Sequence, residues 1–304
     1  MKITVLGCGA IGKLWLAALS QRKHQVQGWL RIPQPDLPVH IDEINGEAFD
    51  QPIPTNDNDH LANSELLIVC LKAWQVSDAV NNLLPKLSSD CPILLLHNGM
   101  GSQEELLSAP NPILLGITTH GAYQNDQQVY HTASGLTHIG SATSNATALS
   151  SLADILHQAL PDVAWHNEIL SISWLKLAAN CVINPLTAIY ECRNGDLLRY
   201  PEQLNVLCEE IIQVMERENI HTSISHLTAY IYDVIERTAK NYSSMLQDIR
   251  AKRHTEIDYI TGYLLRQARA HGLPAPENTR LYNLIKCKEG DYEPFSPHLP
   301  GSWQ

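Results

Sequence analysis

Short apolar runs alternate with helix-length segments through the first half of the chain. "KITVLG" (2–7), "HQVQGWL" (24–30), "ELLIVCL" (65–71), "PILLLHN" (92–98) and "PILLGIT" (112–118) have the length and unbroken apolar character of strands buried on both faces. Segments such as "WQVSDAVNNLLPKL" (74–87) separate them, and that alternation predicts a doubly wound α/β sheet. Within 39–50, Asn45-Gly46 between alternating arms predicts a β-hairpin, and "QVYHTAS" with "LTHIGSA" (128–142) predicts a second. Beyond Trp165 the period becomes helical, with expected helices at 169–190, 202–218, 225–240, 255–271 and 277–288. The tail after Glu289 is irregular and predicts no element.

A chain of 304 residues exceeds what one hydrophobic core usually serves. Two domains are therefore expected, a sheet domain over 1–166 and an all-helical domain over 167–304. Of the net charge of −11, the first 167 residues carry −8 and the rest −3, so neither half offers the basic field that nucleic acid or an anionic membrane requires. The seven cysteines are odd in number and form no CxxC pair, which argues against a disulfide framework and against a zinc site; no bound metal is expected, and reduced thiols suit the cytoplasm. "MKITVLGCG" enters a strand at once without a signal-peptide core, and no apolar run is expected to reach the roughly 20 residues of a membrane span.

One helix carries an anomaly. "WLKLAANCVINPLTAIY" (174–190) is apolar almost all round, the mark of a buried helix, yet it places Lys176, Asn180 and Asn184 four residues apart. Residues at i, i+4 and i+8 share a stripe, here about 12 Å long at 1.5 Å rise per residue. A solvated stripe is the common origin of such a pattern, but the apolar neighbours on every side favour a functional line of polar groups.

Gly7, Gly9 and Gly12 form GxGxxG in "VLGCGAIGKLW", directly after a strand and at the opening of a helix, the context that makes the pattern a dinucleotide site. Gly7 would permit the tight turn, Gly9 the approach of a pyrophosphate, and Gly12 the close packing of helix on strand, in the manner of a Rossmann-like fold. The second strand ends "GWLR", with Arg31 where an NAD site usually has an acid, so a 2′-phosphate and hence NADPH is the expected ligand; a surface arginine is the competing reading. Lys72 in "CLKAWQ" and Asn98 in "LHNGMG" each follow a strand of the same sheet, where they would line the nicotinamide end, although Asn-Gly is also an ordinary turn dipeptide.

"VLGCGAIG", "LKAWQ", "HNGMG", "KLAANCVINPLTA" and "SSMLQDIRAKRHTEIDYITG" (243–262) together closely resemble the ketopantoate reductase, or 2-dehydropantoate 2-reductase, family over essentially the whole chain. The resemblance implies reduction of 2-dehydropantoate to (R)-pantoate by NADPH, toward pantothenate and coenzyme A. It implies Lys176 as proton donor, and Asn180, Asn184, Asn194 and Ser244 with Met245, Leu246 and Gln247 as substrate-binding residues, joined by Asn98. It places Gly7, Cys8, Gly9, Ala10, Ile11, Gly12, Arg31, Lys72, Asn98, Ala122 and Glu256 around cofactor and reacting centre.

Hydride transfer to a ketone builds negative charge on its oxygen, and a lysine aimed at that atom serves as both cation and general acid. Glu256 would orient Lys176; read without the resemblance, "Thr255-Glu256-Ile257-Asp258" is a capping-box-like helix start, where an acid is favoured by the macrodipole. His97 and His120 also end strands and are rival proton donors, a weak claim in a chain with 14 histidines. The glycine loop and Lys176 fall in different expected domains, so the active site is expected in the cleft between them. A reductase of another small 2-keto or 3-hydroxy acid, or a non-catalytic NADP-binding regulator, remain as alternatives, the latter having no use for a lysine on an apolar helix.

Overall fold

A computed structural model describes residues 1–290; the irregular tail lies otherwise outside the described residues. Among the described residues two compact units divide the chain, Met1–His97 with Ser102–Leu170, and Asn98–Gly101 with the described residues from Ser171 onward.

The first unit carries eleven strands: β1 (Lys2–Leu6), β2 (Gln25–Trp29), β3 (Asp36–Asp42), β4 (Ala48–Pro54), β5 (Leu66–Val69), β6 (Ile93–Leu95), β7 (Ile113–Thr118), β8 (Gly121–Asn125), β9 (Gln128–Ala133), β10 (Thr137–Ser141) and β11 (Val163–Trp165). Its helices are α1 (Ala10–Gln21), α2 (Asn58–Ala62), α3 (Ala73–Leu83), α4 (Ser102–Glu105) and α5 (Ser151–Ala159). The main sheet has the order β11-β10-β7-β6-β5-β1-β2, with β2, β1, β5, β6 and β7 parallel and β10 antiparallel to β7. All five apolar runs of the sequence are in it, and every residue of β5, β6 and the first five of β7 is buried, as parallel strands covered on both faces require. The chain leaves β1 toward β2 and returns to β5 on the other side, so the carboxyl ends of β1 and β5 mark the switch point where open α/β sheets bind ligands.

The Asn45-Gly46 hairpin forms as expected, β3 against β4, with Gly46 at φ +84. The second expected hairpin does not. β9 pairs with β8 and β3 in a four-stranded sheet ordered β4-β3-β9-β8, while β10 joins the main sheet between β7 and β11. Alternation identifies strands and not their partners. Between β9 and β10 the chain changes sheets at Gly135, where a Cβ would lie 2.2 Å from the His120 backbone nitrogen. Helix α1 packs against β1 and β2 and also against β3, β8 and β9, with Leu14, Trp15, Leu16 and Leu19 fully buried between them. Each such Leu contributes about 1.5–3 kcal/mol of transfer free energy.

The second unit is helical throughout its described residues: α6 (Ile169–Tyr190), α7 (Pro201–Arg217), α8 (Ile224–Arg237), α9 (Ser244–Arg250), α10 (Thr261–Ala270) and α11 (Pro276–Gly290), with 3-10 turns at Asn194–Arg199 and Ile257–Tyr259. α6 is its core: Trp174, Leu177, Ala178, Cys181, Val182 and Leu186 are at most 2 % exposed and pack with residues of α7, α8, α9, α10 and α11. By length and composition alone α6 could cross a membrane, contrary to the expectation that no run would reach that length, but its apolar surface is covered by the unit's own helices.

The expected helix at 255–271 begins late. α10 starts at Thr261, and Glu256 precedes a single 3-10 turn instead of lying within a first α-helical turn. Tertiary bonds override the local pattern: the Tyr259 carbonyl accepts from Met100 N at 2.7 Å, and Gly99, at φ +79, lies so close that a Cβ would meet that carbonyl at 2.5 Å.

Candidate active site

In the first unit Gly7 and Gly12 make the tight turn and the close helix–strand packing expected of them. Gly7 sits at φ +95, and a Cβ on it would meet the Cys70 carbonyl carbon and oxygen at 2.8 Å, which ties the turn to the end of β5. On Gly12 a Cβ would lie 2.0 Å from the Gly7 oxygen, so α1 reaches β1 only because that side chain is missing. At Gly9 a Cβ would meet nothing within 4 Å. Gly9 caps α1 without a side-chain acceptor, and no acid occupies the first turn at Ala10 and Ile11, so the helix N-terminus presents its N–H groups and positive end to an anion. The Cys8 thiol packs beside Gly28 and burial pushes it up to about 12, leaving Cys8 only its backbone to offer a ligand. These features fit a dinucleotide pyrophosphate.

Arg31 is exposed just after β2. Lys72 is the residue before α3, its backbone N–H donating to Gln75 Oε1 at 3.3 Å. Ala122 lies in β8 beside the register irregularity at Gly121. His120 turns into its own unit: Nδ1 lies 3.2 Å from His131 Nε2, and His131 Nδ1 lies 2.7 Å from Glu43 Oε2. Burial, with the neighbouring His131, pulls His120 down to about 4, so at neutral pH it is an uncharged ring and no match for a cationic acid. His97 Nε2 is engaged with the Ser102 hydroxyl.

The second unit gathers the polar line. Asn184 is buried, Lys176 and Asn180 partly so. Burial pulls the Lys176 ammonium down to about 8, and the Glu256 carboxylate opposes that pull. Glu256 is 4 % exposed and accepts from Asn98 Nδ2 at 3.4 Å. Lys176, Glu256 and Asn98 therefore form one cluster, drawn from α6, the turn before Ile257 and the 98–101 loop.

The other end of the line is built by a capping bond. Ser243 caps α9 by accepting from Leu246 N at 3.1 Å, and Thr187 Oγ1 donates to the Ser243 hydroxyl at 2.7 Å, which holds the start of α9, and Ser244 with it, against α6. Nearby, Asn194 N donates to the Asn241 carbonyl and its Nδ2 to Thr238 Oγ1 at 2.8 Å, while its buried Oδ1 has no hydrogen-bond partner among the described residues. A free, buried acceptor is a costly feature that a ligand hydroxyl would satisfy. Met245 and Leu246 send their side chains into the core and can meet a ligand only through backbone; Gln247 is exposed, its amide donating to the Tyr242 carbonyl at 3.0 Å. Sequence reasoning missed the Thr187–Ser243 lock, although Ser243 before an apolar turn is an N-cap signal.

A glycine-cradled helix N-terminus at the switch point of a parallel sheet, with a half-buried lysine and amides on a helical unit, marks a nicotinamide-dependent oxidoreductase. Family models narrow the class: "Ketopantoate reductase PanE/ApbA" matches residues 3–144 and its C-terminal companion, "Ketopantoate reductase PanE/ApbA C terminal", matches 168–289. The chain belongs to the ketopantoate reductase family. It is 60% identical to the 2-dehydropantoate 2-reductase of Yersinia pestis over 303 residues, covering 100% of both chains, and 55% identical to that of Escherichia coli O157:H7 over the same span. In fold it is similar to a PanE/ApbA family ketopantoate reductase from Ralstonia eutropha, with a TM-score of 0.84 at 24% identity covering 96% of this chain and 99% of the other. It is equally similar in fold to D-mandelate dehydrogenase in complex with NADH and anilino(oxo)acetate, with a TM-score of 0.86 at 24% identity and the same coverage.

Proposed function

We propose that this protein reduces 2-dehydropantoate to (R)-pantoate with NADPH, with Lys176 as the proton donor. Gly7, Cys8, Gly9, Ala10, Ile11 and Gly12 would hold the pyrophosphate, Arg31 the 2′-phosphate, and Lys72, Asn98 and Ala122 the nicotinamide end. Bound there, NADPH supplies the hydride that the ketone carbon accepts. Lys176 holds the carbonyl oxygen by an ammonium hydrogen bond and gives it a proton as the C–O bond becomes single. Glu256, itself held by Asn98, keeps the lysine aimed and charged. Asn180, Asn184, Asn194 and Ser244 bind the remaining oxygens of the substrate without adding charge.

The reading rests on one observation, the cluster in which Lys176, on a largely apolar helix, faces the charge of the buried Glu256 that Asn98 holds; burial there pulls the ammonium down to about 8, near the working pH of a general acid. A binding-only regulator has no need of it. A cytoplasmic setting agrees with seven free cysteines, and the acidic charge argues against a nucleic-acid or membrane partner. The test is NADPH consumption across a panel of 2-keto acids. 2-Dehydropantoate is expected to be reduced with the highest kcat/KM; equal efficiency with an analogue lacking the hydroxymethyl group would overturn the substrate assignment.

A further inference from the structure

Glu256 sits in a segment that makes no α-helix, and its neighbours on both sides are gripped by one face of α11. Thr255 donates from both N and Oγ1 to Glu289 Oε1, at 2.8 and 2.6 Å. Asp258 accepts from Tyr282 OH at 2.6 Å and from Lys286 Nζ at 3.1 Å, and the same Lys286 ammonium lies 2.9 Å from Glu289 Oε2. Positions 282, 286 and 289 follow the i, i+4, i+7 spacing that places side chains on one stripe. Between the two grips, the Glu256 carbonyl accepts from Tyr259 N and Ile260 N at 3.0 Å each, and the Tyr259 carbonyl holds Met100 N of the loop that carries Asn98.

A glutamate 5 % exposed is an expensive way to fill space, since apolar residues of similar volume often replace buried ion pairs at no loss of stability. Its carboxylate does what an apolar side chain cannot: it accepts the backbone N–H of the fully buried Thr255, a donor left without a helical partner. Burial opposes the charge on Lys286, but the Glu289 and Asp258 carboxylates outweigh it and hold the ammonium above its ordinary range. His254 Nδ1 lies 3.5 Å from Glu289 Oε1.

We propose that Glu289, with Lys286 and Tyr282 on the same face of α11, is a positioning residue for the Glu256–Lys176 pair, fixing Glu256 against both Lys176 and Asn98. The inference rests on the proton-donor reading of Lys176. Loosening the segment lets Glu256 swing away, so the ammonium loses the charge that supports it.

The experiment compares Glu289→Ala, Glu289→Gln and Lys176→Ala in the full chain, by kcat, KM and the pH profile of kcat/KM for reduction. Glu289→Ala is expected to lower kcat about 10–100-fold, the range typical of groups that orient a site residue, with KM for NADPH unchanged. Its alkaline limb should move to lower pH than in the wild type, because a weaker carboxylate partner lets burial depress Lys176 further. Glu289→Gln keeps an oxygen for Thr255 and should recover most of kcat. A wild-type kcat or an unmoved limb in Glu289→Ala overturns the proposal. Should that variant fail to fold, Tyr282→Phe combined with Lys286→Met releases the second grip, and an unmoved limb there overturns it equally. Retained turnover in Lys176→Ala would instead remove the proton-donor reading; lost turnover in Lys176→Ala beside normal Glu289→Ala would remove the positioning role alone.

Discussion

At the residue scale, Lys176 is governed by two opposed effects, burial that favours the neutral amine and a carboxylate that favours the ammonium, and burial wins. Because the folded value of about 8 is below the 10.5 of an ordinary lysine, the unfolded chain binds the extra proton between those limits, and this group's contribution to stability rises with pH across that window. Activity runs the other way: kcat/KM for reduction should fall as pH rises through about 8, where the ammonium is lost. Arg31 allows a second test. Arg31→Ala should weaken NADPH far more than NADH, as only NADPH carries the phosphate a guanidinium can grip in bidentate fashion. Equal losses in Kd for the two cofactors would make Arg31 structural. The spacing of Lys176, Asn180 and Asn184 was readable in the sequence because polar residues four apart stand out on a helix that is apolar on its other faces. Glu289 was not, since nothing near it in sequence says that Thr255, 34 residues away, needs an acceptor.

Among the elements, those with a strong internal period formed where the pattern placed them. α6 spans the whole of the expected 169–190, and β1, β5 and β7 follow their apolar runs. Partnership was unreadable, as β9 and β10 demonstrate, because an alternating strand suits any edge that buries its apolar face. The start of α10 failed for a related reason: the bond from Met100 N to the Tyr259 carbonyl is non-local, and propensity yields to it. α9 offers the test at this scale. Ser243→Ala removes the cap on Leu246 N and the acceptor of the Thr187 hydroxyl, so thermal denaturation should report a loss of about 1–2 kcal/mol. With Ser244 no longer held to α6, KM for the keto acid should rise while that for NADPH stays. An unchanged KM for the keto acid would show that the lock serves stability alone.

On the scale of the whole molecule, each unit holds a separable part of the chemistry. In the proposed reading the glycine turn of the first unit would hold the dinucleotide, and Lys176 of the second, with Glu256 and the amides, would supply the acid. A change confined to one part should leave the other intact. Lys176→Ala is the direct case, since alanine is the best helix former and the relieved desolvation of the ammonium offsets part of the cost of leaving Glu256 without its countercharge. The deciding measurement is turnover of 2-dehydropantoate by that variant, taken beside its NADPH affinity and its Tm. The account predicts turnover lower by about 10²–10⁴-fold, NADPH binding unchanged, and a folded variant whose Tm falls only by what the Glu256 carboxylate costs without its countercharge. Turnover retained at the wild-type level, in a folded variant that binds NADPH as the wild type does, would contradict it.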